Sequence, residues 1–311
     1  MPLVTIGVPI YNAQNYIVDT LESIKIQTYP NIQLVIVDDC STDNSLSVVN
    51  NWIKENKDIF SETILIKNKE NKGTSFSCKK LEESAQGIFF CKLDADDLIS
   101  SNKIATQVEF LLENQDVALV YSNTLLIDSC GKLMQEDYFG VQNFLNVINK
   151  IGPSGFLFDH LIAECFIPNS SVMIRKNILS SVGGYDASLF TEDWDLWLRL
   201  SKQHPIAFME GYFSSYRIHP QSVMRQNSTL AKMYSSCCKA VLKHGGVSKK
   251  HDKLIAKHLY TYTIGMYRLG IIDNFLLWEN FNYNKTFKSA LYFVFGMLNI
   301  KLHQKNRDLN L

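Results

Sequence analysis

Apolar residues along the first 125 positions alternate between continuous β-prone runs and helically spaced stretches. Residues 3–10 (LVTIGVPI) form an uninterrupted run ended by Tyr11 and Asn12, and helical spacing follows over residues 15–27, closed by Tyr29 and Pro30. Residues 33–37 (QLVIV) repeat the strand signature and stop at Asp38-Asp39-Cys40-Ser41-Thr42-Asp43, before a helical pattern over 45–54. A third strand is expected at 63–67 and leads through 68–73 into a helix near 75–85. Residues 89–99 read FFCKLDADDLI: four mostly apolar residues run straight into Asp94, Asp96 and Asp97, followed by a helix over 103–112 and a fifth strand at 117–121. Continuous rather than alternating apolar runs mark strands buried on both faces. Strands and helices in this order, joined by right-handed crossovers, predict an α/β fold: a half-Rossmann, mostly parallel sheet flanked by helices.

The rhythm weakens between residues 125 and 166, where Gly131 and a Gly/Pro/Ser stretch at 152–155 read as loops and short helices shaping an acceptor cleft, or as a plain flexible connection. Order returns at 171–174, at Gly183-Gly184-Tyr185-Asp186, and at Thr191-Glu192-Asp193 running into WDLWLRLSKQ. There Trp194, Trp197, Leu198 and Leu200 suit one broad helix face, with Thr191 as the cap. Helical patterns recur over 230–242, 253–270 and 285–302, so a larger α/β body over 1–225 and a helical C-terminal region over 226–311 are expected.

Charge is balanced overall, yet from Leu230 onward there are 13 Lys or Arg against 4 Asp or Glu, a surplus of 9. The body is therefore acidic and the tail basic, which suits a metal-bound phosphate ester on one and an anionic surface on the other, or simply a solvated helix face. No nucleic-acid partner is expected. The last apolar stretch, FKSALYFVFGMLNIKL, is too short to span a bilayer comfortably. It reads equally as an interfacial helix, giving peripheral membrane contact, as a homo-oligomer contact, or as a core helix. Seven Cys form no CxxC pair, and no secretory leader precedes the first strand, so reduced thiols and a cytoplasmic compartment, with the inner membrane face as the peripheral variant, are the expectation. Adjacent Cys237 and Cys238 read as buried thiols.

The chemistry gathers where strands end, the edge at which open α/β sheets bind ligands. Carboxylates as close as Asp94, Asp96 and Asp97 repel one another unless a divalent cation or donor-rich ligand offsets the repulsion. No GxGxxG follows the first strand, so a dinucleotide cradle is missing. The polar residues instead follow strands one, two and four, making a nucleotide site built from hydrogen-bond acceptors. Taken alone, Glu192 and Asp193 are ordinary stabilising acids at a helix N-terminus, and His219 is a loop histidine.

Together, Val8-Pro9-Ile10-Tyr11-Asn12, Val37-Asp38-Asp39-Cys40-Ser41-Thr42-Asp43, Asn71-Lys72-Gly73, the DxD of Asp94-Ala95-Asp96 with Asp97, and Glu192-Asp193 resemble, in that order, the family 2 glycosyltransferases of GT-A fold. Cys40 departs from the pattern, since the family often has Gly in that turn. The resemblance implies that Pro9, Tyr11 and Asn12 line the nucleotide, that Asp39 accepts from the base, and that Lys72 and Gly73 border the same pocket. It implies that Asp94 faces the ribose and metal-bound water, that Asp96 ligates Mg2+ or Mn2+ with His219 as a second metal or diphosphate contact, and that Asp193 is the catalytic base. The implied reaction is single-displacement transfer, with inversion, from a nucleotide-diphosphate sugar, UDP favoured, to a hydroxyl of a glycan or lipid-linked acceptor in polysaccharide or glycoconjugate biosynthesis. Three other readings compete. A sugar-nucleotide nucleotidyltransferase would carry a Gly- and Arg-rich loop where Ile10-Tyr11-Asn12-Ala13 stands. A processive synthase would show QxxRW and membrane spans, and a non-catalytic nucleotide-sugar-binding relative would have no need of the intact acidic set.

Overall fold

The computed structural model describes residues 1–136, 148, 154–220 and 227–300, the side chains of 227 and 228 apart. Part of the Gly/Pro/Ser stretch, residues 221–225 and the end of the last predicted helix lie outside the described residues. Two units are distinguished: Met1–Ser188 with Leu196–His219, and Leu189–Asp195 with Pro220–Leu311.

The first unit is built on a ten-stranded sheet. Strands β1 (Val4–Ile10), β2 (Ile32–Asp38), β3 (Glu62–Lys67) and β4 (Phe89–Lys92) alternate with helices α1 (Ile17–Lys25), α2 (Ser45–Glu55) and α3 (Thr74–Ser84). After the two-residue β5 (Leu98–Ile99) come α4 (Lys103–Glu113) and β6 (Leu119–Ile127), so the predicted elements are present within a few residues of their expected bounds. Every residue of β1 and β2 is buried, as continuous apolar runs require of strands covered on both faces. Helix α1 turns Ile17, Leu21 and Ile24, at helical spacing, into the same core.

Beyond β6 the chain forms β7 (Leu133–Gln135), β8 (Ser154–Gly155), the short helix α5 (Phe158–Leu161), β9 (Met173–Arg175), α6 (Lys176–Ser181), α7 (Glu192–Gln203) and the long β10 (Ile206–Arg217). The sheet runs β3-β2-β1-β4-β9-β6-β10-β5, with β7 on β6 and β8 on β10. β9 lies antiparallel between β4 and β6, separating the fourth and fifth predicted strands. Three residues carry too little periodicity to announce a partner, whereas the fixed 2-residue alternation of longer strands does.

The second unit is helical: α8 (Asn227–Leu242), α9 (Lys249–Arg268), α10 (Asn274–Asn284) and α11 (Phe287–Met297). Helix α10 fills the stretch between 270 and 285 that the sequence pattern left open, because its apolar residues do not keep to one face. The unit also claims the first residues of α7. Phe190 and Thr191 donate their N–H groups to Ser236 Oγ at 3.0 and 2.9 Å, and buried Asp195 accepts from Lys243 Nζ at 2.8 Å. All seven cysteines are free thiols, with Cys237 and Cys238 buried; burial, followed by the nearby Asp193 charge, pushes Cys237 up to about 12.

Of the four non-glycine residues with left-handed φ among the described residues, two lie in turns at the sheet edge and two, Lys285 and Asn299, follow helices of the second unit. Asn12 and Cys40 adopt left-handed φ values of 50° and 63° at the ends of β1 and β2. Asn tolerates that region, whereas Cys pays a Cβ penalty there. Replacing Cys40 with Gly should therefore raise stability by about 1 kcal/mol, less what the freer unfolded chain gives back. The check is a higher urea midpoint at unchanged m-value; a lower midpoint would show that the Cys40 side chain, 3.8 Å from the Lys69 carbonyl, stabilises the turn more than its φ strains it.

Candidate active site

The parallel strands β1, β2 and β4 end along one edge of the sheet, where their carboxyl ends release the polar turns. Residue alternation along β1 explains Pro9. Val4 N–H bonds Asn31 on the β2 side and Gly7 accepts from Leu93 on the β4 side, so Pro9 faces β4, which has ended at Lys92. A missing N–H there breaks no ladder bond. Tyr11, next beyond β1, is 48% exposed.

Asn12 closes the edge between the first two strands. Its N–H donates to Ser41 Oγ at 3.0 Å, and its side-chain carbonyl accepts from Thr42 N–H at 2.8 Å and Asp43 N–H at 3.3 Å. Asp38 is buried and accepts from Ser41 N–H, so it fixes its own turn. Asp39 reaches the other way: Oδ1 accepts from Asn68 Nδ2 at 2.8 Å and Lys72 N–H at 3.0 Å, and Oδ2 from Gly73 N–H at 2.7 Å. Gly73 has φ 90°, a conformation that L side chains rarely adopt, and this brings its N–H onto Asp39. With two acceptor sites on each oxygen, Asp39 keeps capacity on Oδ2 for one further donor. Lys72 carries its ammonium 3.1 Å from Glu70 and over the Phe76 ring.

The three acids after β4 are met in three different ways. Asp94 sits 2.7 Å from the ammonium of Lys92, itself buried within β4, and 3.4 Å from Asn169 Nδ2. Asp96 lies with Oδ2 2.8 Å from His219 Nε2. Burial, and after it the Asp94 charge, push the Asp96 carboxyl above its ordinary value, against the pull of His219. Asp97 turns inward and is 1% exposed, accepting from the Ser170 hydroxyl and from Arg217 N–H at 3.0 Å. Burial, then the charges of Asp96 and Asp94, hold it well above the carboxylate range. The acids expected to act as one group of three thus divide into a half-exposed pair and an interior anchor.

Arg217, at the end of β10, ties this loop to the rest of the edge. Its Nε donates to the Asp96 carbonyl at 2.8 Å, Nη1 to the Ser129 carbonyl at 3.2 Å and Nη2 to Asp19 at 3.1 Å, while the guanidinium covers the Tyr16 ring at 5.2 Å. Tyr16 in turn packs on the His219 ring, centroids 4.3 Å apart. Lys92, Ser170, Arg217 and Tyr16 were not singled out from the sequence. A lysine inside an apolar strand just before acids, and an arginine two residues before His219, are the signals that were there to find.

Asp193 belongs to the second unit, in the first turn of α7, where its Oδ1 accepts from Trp194 N–H at 2.7 Å. It is half-exposed, in the first turn of a helix, where an acid is an ordinary stabilising residue. Among the described residues, no three His, Cys, Asp or Glu side chains cluster as a ready ligand set.

Removing the Arg217 guanidinium, itself 1% exposed, leaves the Asp96 carbonyl without its donor and should cost about 1–3 kcal/mol. Arg217→Met in urea unfolding should show that loss, and Arg217→Lys should recover little of it, since one ammonium cannot reach three acceptors. Asp19→Asn, with the partner side chain 59% exposed, should cost less than about 1 kcal/mol. Equal costs for Arg217→Met and Asp19→Asn would reduce the clamp to a surface ion pair.

The sequence model for glycosyltransferase like family 2 matches residues 4–253. The UDP-Glc:alpha-D-GlcNAc-diphosphoundecaprenol beta-1,3-glucosyltransferase WfaP of Escherichia coli is 29% identical over 261 residues, 84% of this chain and 93% of WfaP. An uncharacterized glycosyltransferase of Rickettsia felis is 32% identical over 225 residues, 71% of this chain, and the match spans only 35% of that relative's length. Staphylococcus aureus TarS 1–349 in complex with UDP aligns with a TM-score of 0.64 at 15% identity, covering 96% of this chain and 88% of that one. The mannosyltransferase PcManGT of Pyrobaculum calidifontis, in complex with GDP-Man and Mn2+, aligns with a TM-score of 0.61 at 16% identity, covering 96% and 85%. At such identities the two structures speak for the fold, which is GT-A. With a family match across four fifths of its length, on a sheet whose edge carries these acids, the chain belongs to glycosyltransferase-like family 2.

Proposed function

We propose that this chain transfers a sugar, with inversion, from a nucleotide-diphosphate sugar to a hydroxyl of a glycan or lipid-linked acceptor in polysaccharide or glycoconjugate biosynthesis. The observation that carries the reading is the Asp96–His219 pair, 2.8 Å apart beside Asp94 at the carboxyl edge of the sheet. A UDP-sugar is the favoured donor, supported by the UDP-Glc in WfaP's name and the UDP bound to TarS. Residues 1–225 are read as the catalytic body and 226–311 as a helical extension.

The residues present fit a divalent cation. Asp96 is half-exposed, its charge is opposed by Asp94, and an imidazole adjoins it, a mixed oxygen and nitrogen donor set that suits Mn2+ and admits Mg2+. Such cations are held by one or two carboxylates and completed by substrate phosphates. When bound by Asp96 and His219, the cation would supply Lewis-acid stabilisation of the leaving diphosphate. The rest falls to the chain. Lys92 and Asn169 hold Asp94 for a ribose hydroxyl, and Arg217 holds the backbone of Asp96 in register. Pro9, Tyr11 and Asn12, with Lys72 and Gly73, frame the nucleotide, and the remaining acceptor capacity of Asp39 meets the N–H of a base imide.

Asp193 is assigned as the base that takes the acceptor's proton, on its place in the order of motifs and its exposure in the first turn of α7. An ordinary carboxylate, with a reference pKa of about 4, is a weak base toward a free hydroxyl but an adequate one late in the transition state, when that proton has become acidic. Asp193→Asn should lower kcat about 100- to 10,000-fold in a donor-to-acceptor transfer assay and leave donor KM nearly unchanged. Near-normal turnover would remove Asp193 from the chemistry. Asp96→Asn should instead abolish Mn2+-dependent thermal stabilisation by a UDP-sugar, which for the unaltered chain should approach 2.7 kcal/mol at about 100 times the dissociation constant. Stabilisation that persists without Asp96, or that never depends on Mn2+, would overturn the metal assignment.

A further inference from the structure

The last described helix is built with its small residues inward and its large apolar residues outward. On α11 the buried positions are Ser289 and Gly296, and Gly296 sits so close to α10 that a Cβ there would come within 2.6 Å of Leu277 Cδ1. Phe293, on the same side, packs on Trp278 of α10 with ring centroids 5.2 Å apart. The opposite side carries Phe287, Leu291, Val294 and Leu298, which are 84%, 37%, 48% and 65% exposed. At 100° per residue these four fall within about 60° of arc, a single stripe facing away from the helix's own packing. Met297, 64% exposed, and Trp278, 43% exposed, widen the apolar face toward α10. The helix is held in this pose by a complete capping box between Thr286 and Ser289, so the outward stripe is a fixed feature of a well-started helix.

An apolar stripe of this size is covered by something. Its surroundings say what. Lys285 and Lys288 are exposed at the start of the helix, Arg268 is exposed at the end of α9, and the chain from Leu230 carries its surplus of 9 positive charges. A second copy would bring two such surpluses together. An anionic lipid surface complements the charge, takes the apolar stripe among its acyl chains, and offers Trp278 the interfacial level its ring prefers.

We propose that α11, with the adjoining turn of α10, is a membrane-docking face that lays its Phe287-Leu291-Val294-Leu298 stripe into the surface of an anionic bilayer. The helix lies in the interface rather than across it: no helix among the described residues is long and apolar enough to span a membrane. The inference goes beyond the transferase reading and does not rest on it, because binding can be measured with neither donor nor acceptor.

The full chain is mixed with phosphatidylcholine vesicles, with or without about 30 mol% phosphatidylglycerol, and pelleted at low and high salt. Pelleting is expected with the anionic vesicles alone, and high salt should weaken it. The double substitutions Leu291→Ser with Val294→Ser, and Lys285→Glu with Lys288→Glu, should each reduce the bound fraction at least about tenfold, as loss of either buried apolar area or surface charge requires. All four side chains are exposed, so unchanged thermal unfolding is expected and checks folding. Should either double variant unfold, Trp fluorescence provides a second measurement: anionic vesicles with brominated acyl chains should quench the native chain and quench Trp278→Phe distinctly less. Failure of the native chain to pellet with anionic vesicles, binding unaltered by both substitution pairs, or quenching unaltered by Trp278→Phe would each overturn the proposal. So would light scattering that finds a dimer which Leu291→Ser with Val294→Ser dissociates, since that outcome gives the face to a second copy.

Discussion

Three carboxylates within four residues at the end of one strand are the constraint to which this edge of the sheet is fitted. Two unit charges about 4 Å apart repel by about 4 kcal/mol at the effective dielectric of a protein surface, a large fraction of a domain's net stability. The fold disperses that repulsion by giving each acid its own answer. Asp94 receives a buried ammonium from within its own strand, Asp96 an imidazole, and Asp97 an interior pocket where a hydroxyl and a backbone N–H replace water. The result leaves two half-exposed acids side by side, with Asp96 raised first by its burial and then by the Asp94 charge. An edge in that condition favours cations and donor-rich ligands.

The Asn12 and Asp39 side of the same edge, proposed above to hold the nucleotide, is arranged by the opposite logic. There, polar groups are already engaged before any ligand arrives: Asn12 makes four hydrogen bonds with the turn after β2, one as donor and three as acceptor, and Asp39 accepts three from the segment leading into α3. Turns tied down in this way lose little further entropy when a base and ribose settle against them. In the proposed reaction, preorganisation on one side and unrelieved charge on the other would divide the work between positioning and electrostatic stabilisation.

The sequence was most legible where one periodicity ruled a long segment. The strands from Val4 to Lys92, the helices between them, and the order of the acidic motifs could all be read, because burial on both faces leaves an unmistakable apolar run. It was least legible where a role depends on partners far along the chain. β9 is too short to declare that it separates β4 from β6. Asp97 looks in sequence like a third ligand and differs from Asp96 only in which way its side chain turns. Lys92 and Arg217 escaped because a single cation in a strand reads as noise until the sheet places it beside an acid. Helix α10 escaped because its apolar residues are spread around the axis, and the outward stripe of α11 carries the same periodicity as an inward one.

Arg217 is the point at which β10 completes the edge, and its place in the chain has a consequence for biosynthesis. Arg217 and His219, which answer Asp97 and Asp96, lie 120 to 123 residues downstream of them, whereas Ser170, the other partner of Asp97, lies 73 downstream. At a ribosomal rate of about 5–20 residues per second, the acids emerge roughly 6 to 24 seconds before Arg217 and His219 do. During that interval β1 to β4 are already available to pair, while the loop that follows β4 has Lys92 at once and Asn169 and Ser170 later, but nothing yet to meet Asp96. The nascent sheet therefore waits, half-built and strongly anionic at one edge, for a late strand to seal it.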